Sequence, residues 1–98
     1  MSQPWRLTPR AVEDLDAIAD YTLEHWGVEQ LESYLEALIE RFDWLAESPM
    51  LGRDRSDVHP GYRCFPEGNH IVFYIVDRDF INIIGIPHKS MDVGPLFF

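Results

Sequence analysis

The chain has 98 residues, 46% hydrophobic and 13% aromatic, which fits one small globular domain over residues 1–98 and excludes a disordered chain or a second core. Seventeen acids against eight bases give a formal net charge of −9, which excludes a protein whose whole surface grips nucleic acid. The charge is uneven: residues 11–47 hold eleven acids and one base, Arg41, a net of −10, and the remainder stands at +1.

Trp5-Arg6-Leu7-Thr8 reads as a short extended segment. Thr8-Pro9 then starts a helix, with Thr capping open N–H groups and Pro at the position where no N–H is needed. Val12, Leu15, Ile18, Ala19, Thr22 and Trp26 recur in steps of three and four, the signature of one helical face. Gly27 ends that helix, and a second begins at once. Its stripe is Leu31, Tyr34, Leu35, Leu38, Phe42 and Leu45, and Glu29, Glu32, Glu36 and Glu40 lie opposite. Ser48-Pro49 stops it. Residues 50–61 read as loop. Tyr62–Phe65, His70–Val76 and Phe80–Ile86 read as three strands, the middle one apolar enough to be central. The order strand, helix, helix, three strands predicts an α+β fold, an antiparallel sheet with an N-terminal helical hairpin packed on one face.

Cys64 is the only cysteine, so no internal disulfide forms, and its apolar strand context marks a core residue more than a nucleophile. Met1-Ser2-Gln3-Pro4 has no secretory character, and the longest apolar run, Ile71 to Val76, is too short for a membrane span. A cytoplasmic protein with no membrane partner is expected. His25, His59, His70 and His88 form no closely spaced pair in the sequence, so neither a metal nor any other cofactor is expected. The glutamates of the second helix are either a solvated face or a surface awaiting a basic partner, since like charges at that spacing repel.

One constellation carries sharper chemistry. If the last two strands turn about Arg78-Asp79, His70 falls opposite Pro87 and beside His88. If the turn at Gly68 is tight, Arg63 pairs with Val72 on the face of His70. Arg63, His70, His88 and Lys89 would then approach one end of the sheet, where cations and a histidine can stabilise phosphate charge and move protons. A one-residue slip would send His88 to the other face, and a plain polar rim is the competing reading.

The residues also resemble a known family. Arg6-Leu7-Thr8-Pro9, Asp14-Leu15, Ile18 and Tyr21, then Leu51-Gly52-Arg53, Pro60-Gly61, Arg63 and Phe65-Pro66, then Gly68, His70 to Tyr74, His88 and Met91-Asp92 are similar in order and spacing to the ParE branch of the RelE/ParE toxins. The resemblance implies the toxin of a bacterial type II toxin–antitoxin system, held inactive by a ParD-like or similar antitoxin. It implies DNA gyrase as target, by binding, with no catalytic residues, no cofactor and no sequence-specific DNA contact. Arg63, His88, Lys89, Phe97 and Phe98 are then the target-facing residues, and Glu29, Glu32, Glu36 and Glu40 the antitoxin-facing ones. The RelE branch instead cleaves messenger RNA on the ribosome, and there Arg63, His88 and Lys89 would be catalytic. A net charge of −9 weighs against that branch. A non-toxic interaction module is the third reading. His88-Lys89-Ser90-Met91 departs from the family, where an arginine often precedes the methionine.

Overall fold

The computed structural model describes residues 4–90. Met91, Asp92, Phe97 and Phe98 lie outside the described residues. The elements are β1 (Trp5–Leu7), α1 (Pro9–Trp26), α2 (Val28–Glu47), a 3-10 turn (Pro49–Leu51), β2 (Arg53–Asp54), β3 (Tyr62–Glu67), β4 (His70–Val76) and β5 (Ile81–Gly85). The sheet order is β1-β5-β4-β3-β2, with β4 central as its apolar run requires. The α+β architecture matches the sequence expectation, but the sheet is mixed and not wholly antiparallel. β1 runs parallel to β5, with Arg6 beside Asn82. The helical hairpin carries the chain from β1 at one edge of the sheet to β2 at the other, and β3, β4 and β5 then return to β1.

Thr8 caps α1 as expected: its Oγ1 accepts from Ala11 N–H at 3.2 Å, and Pro9 follows at the first helical position. Gly27, at φ +89°, joins α1 to α2 in a conformation that a Cβ would strain. The buried stripe of α1 is Ala11, Ile18 and Thr22, with Leu15 packed beside it. Val12 and Trp26, expected on that stripe, face solvent instead, Trp26 at 70% exposure. The middle of the predicted face holds, with Leu15, Ile18 and Thr22 inward, and at the start of the helix Ala11 takes the buried place expected for Val12. Leu38, Phe42 and Leu45 of α2 are buried against Val72, Tyr74, Ile81, Ile83 and Ile86. Each large side chain so buried contributes about 1.5–3 kcal/mol. Trp5 ties β1 to α2, its Nε1–H donating to Asp43 at 2.7 Å and its ring meeting Phe42 edge-on.

β3 runs on through Pro66, beyond the two-residue β2, where a sheet edge tolerates proline. Its register with β4 is two residues from the expected one: Arg63 stands opposite Tyr74, and Phe65 opposite Val72. Tyr74 is fully buried, and its hydroxyl donates to the Pro49 carbonyl at 2.6 Å. A Cβ on Gly52 would collide with that hydroxyl, so a side chain there forces the buried Tyr74 ring to shift. Arg63 Nη1–H donates to the Gly52 carbonyl at 2.7 Å. Gly52, Arg63 and Tyr74 therefore form one structural unit under the 3-10 turn.

The pairing of β4 with β5 contains one extra residue. Tyr74 pairs with Ile83 but Phe73 with Gly85, so Ile84 is bulged out of the ladder. Ile84 packs with Cys64 and Phe73 on the outer face, and Ile83 and Ile86 pack toward the helices. The polar groups around the bulge are taken by the start of α1. Thr8 Oγ1–H donates to the Ile84 carbonyl at 3.3 Å, and Asp14 Oδ2 accepts from Ile86 N–H at 2.8 Å. Asp14 Oδ1 also accepts from Arg10 Nε–H at 3.0 Å. Replacing Asp14 by Ala leaves the buried Ile86 N–H without an acceptor, and urea unfolding is expected to show a loss of about 1–3 kcal/mol. An unchanged midpoint would show that this clip contributes nothing.

Candidate functional site

The bulge sets what meets at the open end of the sheet. Without it, His70 would stand opposite Pro87, and His88 would point to the outer face. With it, His70 pairs with His88. Both then open on the helix side, into a groove of about 750 Å³. Its walls are α1 (Asp14, Ile18, Tyr21, Trp26), the start of α2 (Gln30, Tyr34), the Glu67–His70 turn and Ile86–His88. Gly68 makes that turn at φ +58°, and a Cβ there would sit 2.7 Å from the Tyr34 ring.

Tyr34 and His70 form the groove's inner wall. The Tyr34 hydroxyl donates to the Glu67 carbonyl at 2.9 Å and lies 2.7 Å from His70 Nδ1. The Glu67 carboxylate is held elsewhere, accepting from Arg41 Nε–H at 2.9 Å. Arg41 in turn lies over the rings of Trp44 and Phe65. Burial, and then the Glu67 charge, push the Tyr34 hydroxyl pKa up, partly offset by the Asn69 backbone N–H. Burial first, and then His88, hold the His70 imidazole below its ordinary pKa, with Asp14 opposing them. Cys64 is buried on the outer face and burial raises its thiol pKa, which leaves it inert as a nucleophile.

The residues singled out from the sequence fall in three places. His88 and Lys89 are exposed at the mouth of the groove, beside His70. Arg63 is not with them: it sits opposite Tyr74, four residues along β4 from His70, about 13 Å away. Glu29, Glu32, Glu36 and Glu40 are all exposed on α2. Phe97 and Phe98 lie outside the described residues. Tyr34 and the groove itself were missed, because Tyr34 reads as one more apolar residue of the α2 stripe. Its hydroxyl was the available signal, since a half-buried tyrosine needs a polar partner. Among the described residues no group of three or more His, Cys, Asp or Glu gathers. No helix among them is long and apolar enough to cross a membrane.

The fold is shared with a solved structure titled a chromosomal ParDE TA system from P. aeruginosa, at a TM-score of 0.72 and 24% identity, covering 86% of this chain and 92% of that one. Similarity in sequence goes further. Toxin ParE1 of Mycobacterium tuberculosis is 37% identical over 94 residues, which is 95% of this chain and 96% of that protein. Toxin ParE1 of Caulobacter vibrioides is 39% identical over 90 residues, 92% of this chain and 93% of that protein. A family model described as the ParE toxin of type II toxin–antitoxin systems, parDE, matches residues 5–93. The chain is thus a small α+β toxin of the RelE/ParE superfamily. It belongs to the ParE toxin family of type II toxin–antitoxin systems.

His70 gives the groove a pH dependence. Its pKa is lowered in the folded chain, so as pH falls through about 6.5 the unfolded chain takes up the proton first. The stability it contributes is present above that pH and is lost below it. In chelator-treated buffer the melting temperature is expected to fall between pH 7.5 and 5.5, and to fall less in His70→Gln. An equal fall in both proteins would contradict this assignment.

Proposed function

We propose that this toxin acts on DNA gyrase by binding, blocks replication, and is neutralised by a co-expressed antitoxin. The observation that supports this reading is the 37–39% identity with ParE1 toxins along nearly the whole chain. The target-facing part in this reading is the His88-Lys89 end of the sheet with the C-terminal residues Phe97 and Phe98. Arg63 is not part of that end: it stands opposite Tyr74 and donates to the Gly52 carbonyl. The antitoxin-facing part is the exposed row Glu29, Glu32, Glu36 and Glu40, where basic antitoxin residues relieve the repulsion between neighbouring carboxylates. Charge in such a row acts mainly on the rate of encounter.

A supercoiling assay with purified gyrase tests the reading. Supercoiling is expected to stop at saturating toxin and to return when antitoxin is added. The variant with all four glutamates changed to Gln should recover more slowly, with a weaker dependence on salt. Full supercoiling at saturating toxin would overturn the target. Equal recovery rates in both proteins would overturn the antitoxin surface.

A further inference from the structure

The sheet end of the groove holds a pair of histidines whose arrangement has chemistry of its own. His70 and His88 stand directly opposite one another. The bonds that frame them run from Ile71 N–H to the Pro87 carbonyl and from Lys89 N–H to the Asn69 carbonyl, both at 2.9 Å. That pattern defines a non-hydrogen-bonded antiparallel pair, the kind that brings opposite side chains closest. The ring centres are 5.5 Å apart. Two imidazoles that share one tetrahedral cation, at metal–nitrogen bonds of about 2.0–2.1 Å, have ring centres roughly 5 Å apart. The observed ring-centre spacing is close to that value.

His70 is prepared for such a cation, and His88 becomes so by a change of tautomer. Tyr34 has one hydroxyl proton, and the Glu67 carbonyl can only accept it. The contact between Tyr34 and His70 is therefore Nδ1–H donating to the tyrosine oxygen, which leaves the His70 lone pair on Nε2. His88 Nδ1 accepts from Ser90 N–H at 3.2 Å and lies 2.8 Å from Ser90 Oγ. That bond keeps the ring proton on Nε2, so a cation at His88 Nε2 requires the proton to move to Nδ1, facing Ser90 Oγ, and the exposed Ser90 N–H to turn to water. Neither Nε2 makes a hydrogen bond among the described residues. A hydroxyl or carbonyl behind each ring is the outer shell that orients histidine ligands.

We propose that His70 and His88 form a two-histidine site for a divalent transition-metal cation of the Zn²⁺ or Cu²⁺ class, open toward the groove. The sequence reading expected no metal, because seventeen residues separate the two histidines and the bulge that aligns them leaves no mark in the sequence spacing. Asp14 is committed to Ile86 and Arg10, and the Glu67 carboxylate to Arg41, so neither supplies a third ligand. Water completes the coordination on the groove side. Imidazole ligands select Zn²⁺ and Cu²⁺ and exclude Mg²⁺, which requires oxygen.

Calorimetric titration of the tag-free full chain at pH 7.5 tests the site, with ZnCl₂, CuCl₂ and MgCl₂ as separate titrants. One Zn²⁺ per chain is expected, with tighter Cu²⁺ and no Mg²⁺ binding. His88→Ala, at an exposed position, should weaken Zn²⁺ by more than tenfold, and Tyr34→Phe by about tenfold. His25→Ala and His59→Ala should leave binding unchanged, and circular dichroism checks that each variant is folded. Absence of Zn²⁺ binding by the native chain, undiminished binding in folded His88→Ala, or equal loss in His25→Ala would overturn the proposal.

Discussion

The pairing of β4 with β5, and the one extra residue it absorbs at Ile84, sets the arrangement of the whole open end of the molecule. A bulge changes the phase of a strand, and a change of one residue exchanges its two faces. Before the bulge Ile81 and Ile83 point to the helices, and after it Ile86 and His88 do so. The disturbed backbone is held by two residues at the start of α1. Thr8 both caps the helix and donates to the Ile84 carbonyl, and Asp14 accepts from Ile86 N–H. The motif Thr8-Pro9 with Asp14 is thus more than a helix start. It fastens the first helix to the bulged end of β5.

The same reasoning separates what could be read from the sequence from what could not. The helices, Gly27 between them, the cap at Thr8 and the central strand follow from local spacing and composition, which fix elements without reference to distant neighbours. The face of α1 did not follow so closely. Ala11 and Val12 are both apolar, and only contact with the sheet decides which is buried. The parallel pairing of β1 was hidden because three residues carry no sign of direction. The bulge was hidden for a deeper reason: Ile83 and Ile84 are the same residue type, so no alternation of side chains marks the change of phase. Placing His88 by counting from the turn therefore gave Pro87 opposite His70, and the structure gives His88 itself.

Charge is divided along the same lines as structure. The hairpin that covers one sheet face carries the acidic surplus, with Arg41 paired to Glu67 and lying against the touching rings of Trp44 and Phe65. Arg10, Arg55 and Arg63 are likewise committed within the fold, to Asp14, Asp57 and the Gly52 carbonyl. The chain thus presents two unlike surfaces, an acidic helix and a histidine-bearing sheet end. The groove between them, with Tyr21 and Trp26 on its rim, is where the two surfaces join.

The register of β4 against the chain after β5 carries this account, and proton NMR reads it directly. In a non-hydrogen-bonded antiparallel pair the two Hα atoms face each other at close range. A strong nuclear Overhauser contact between His70 Hα and His88 Hα is predicted in the free chain. A contact from His70 Hα to Pro87 in its place would show an unbulged ladder, with His88 on the outer face, and would contradict the account.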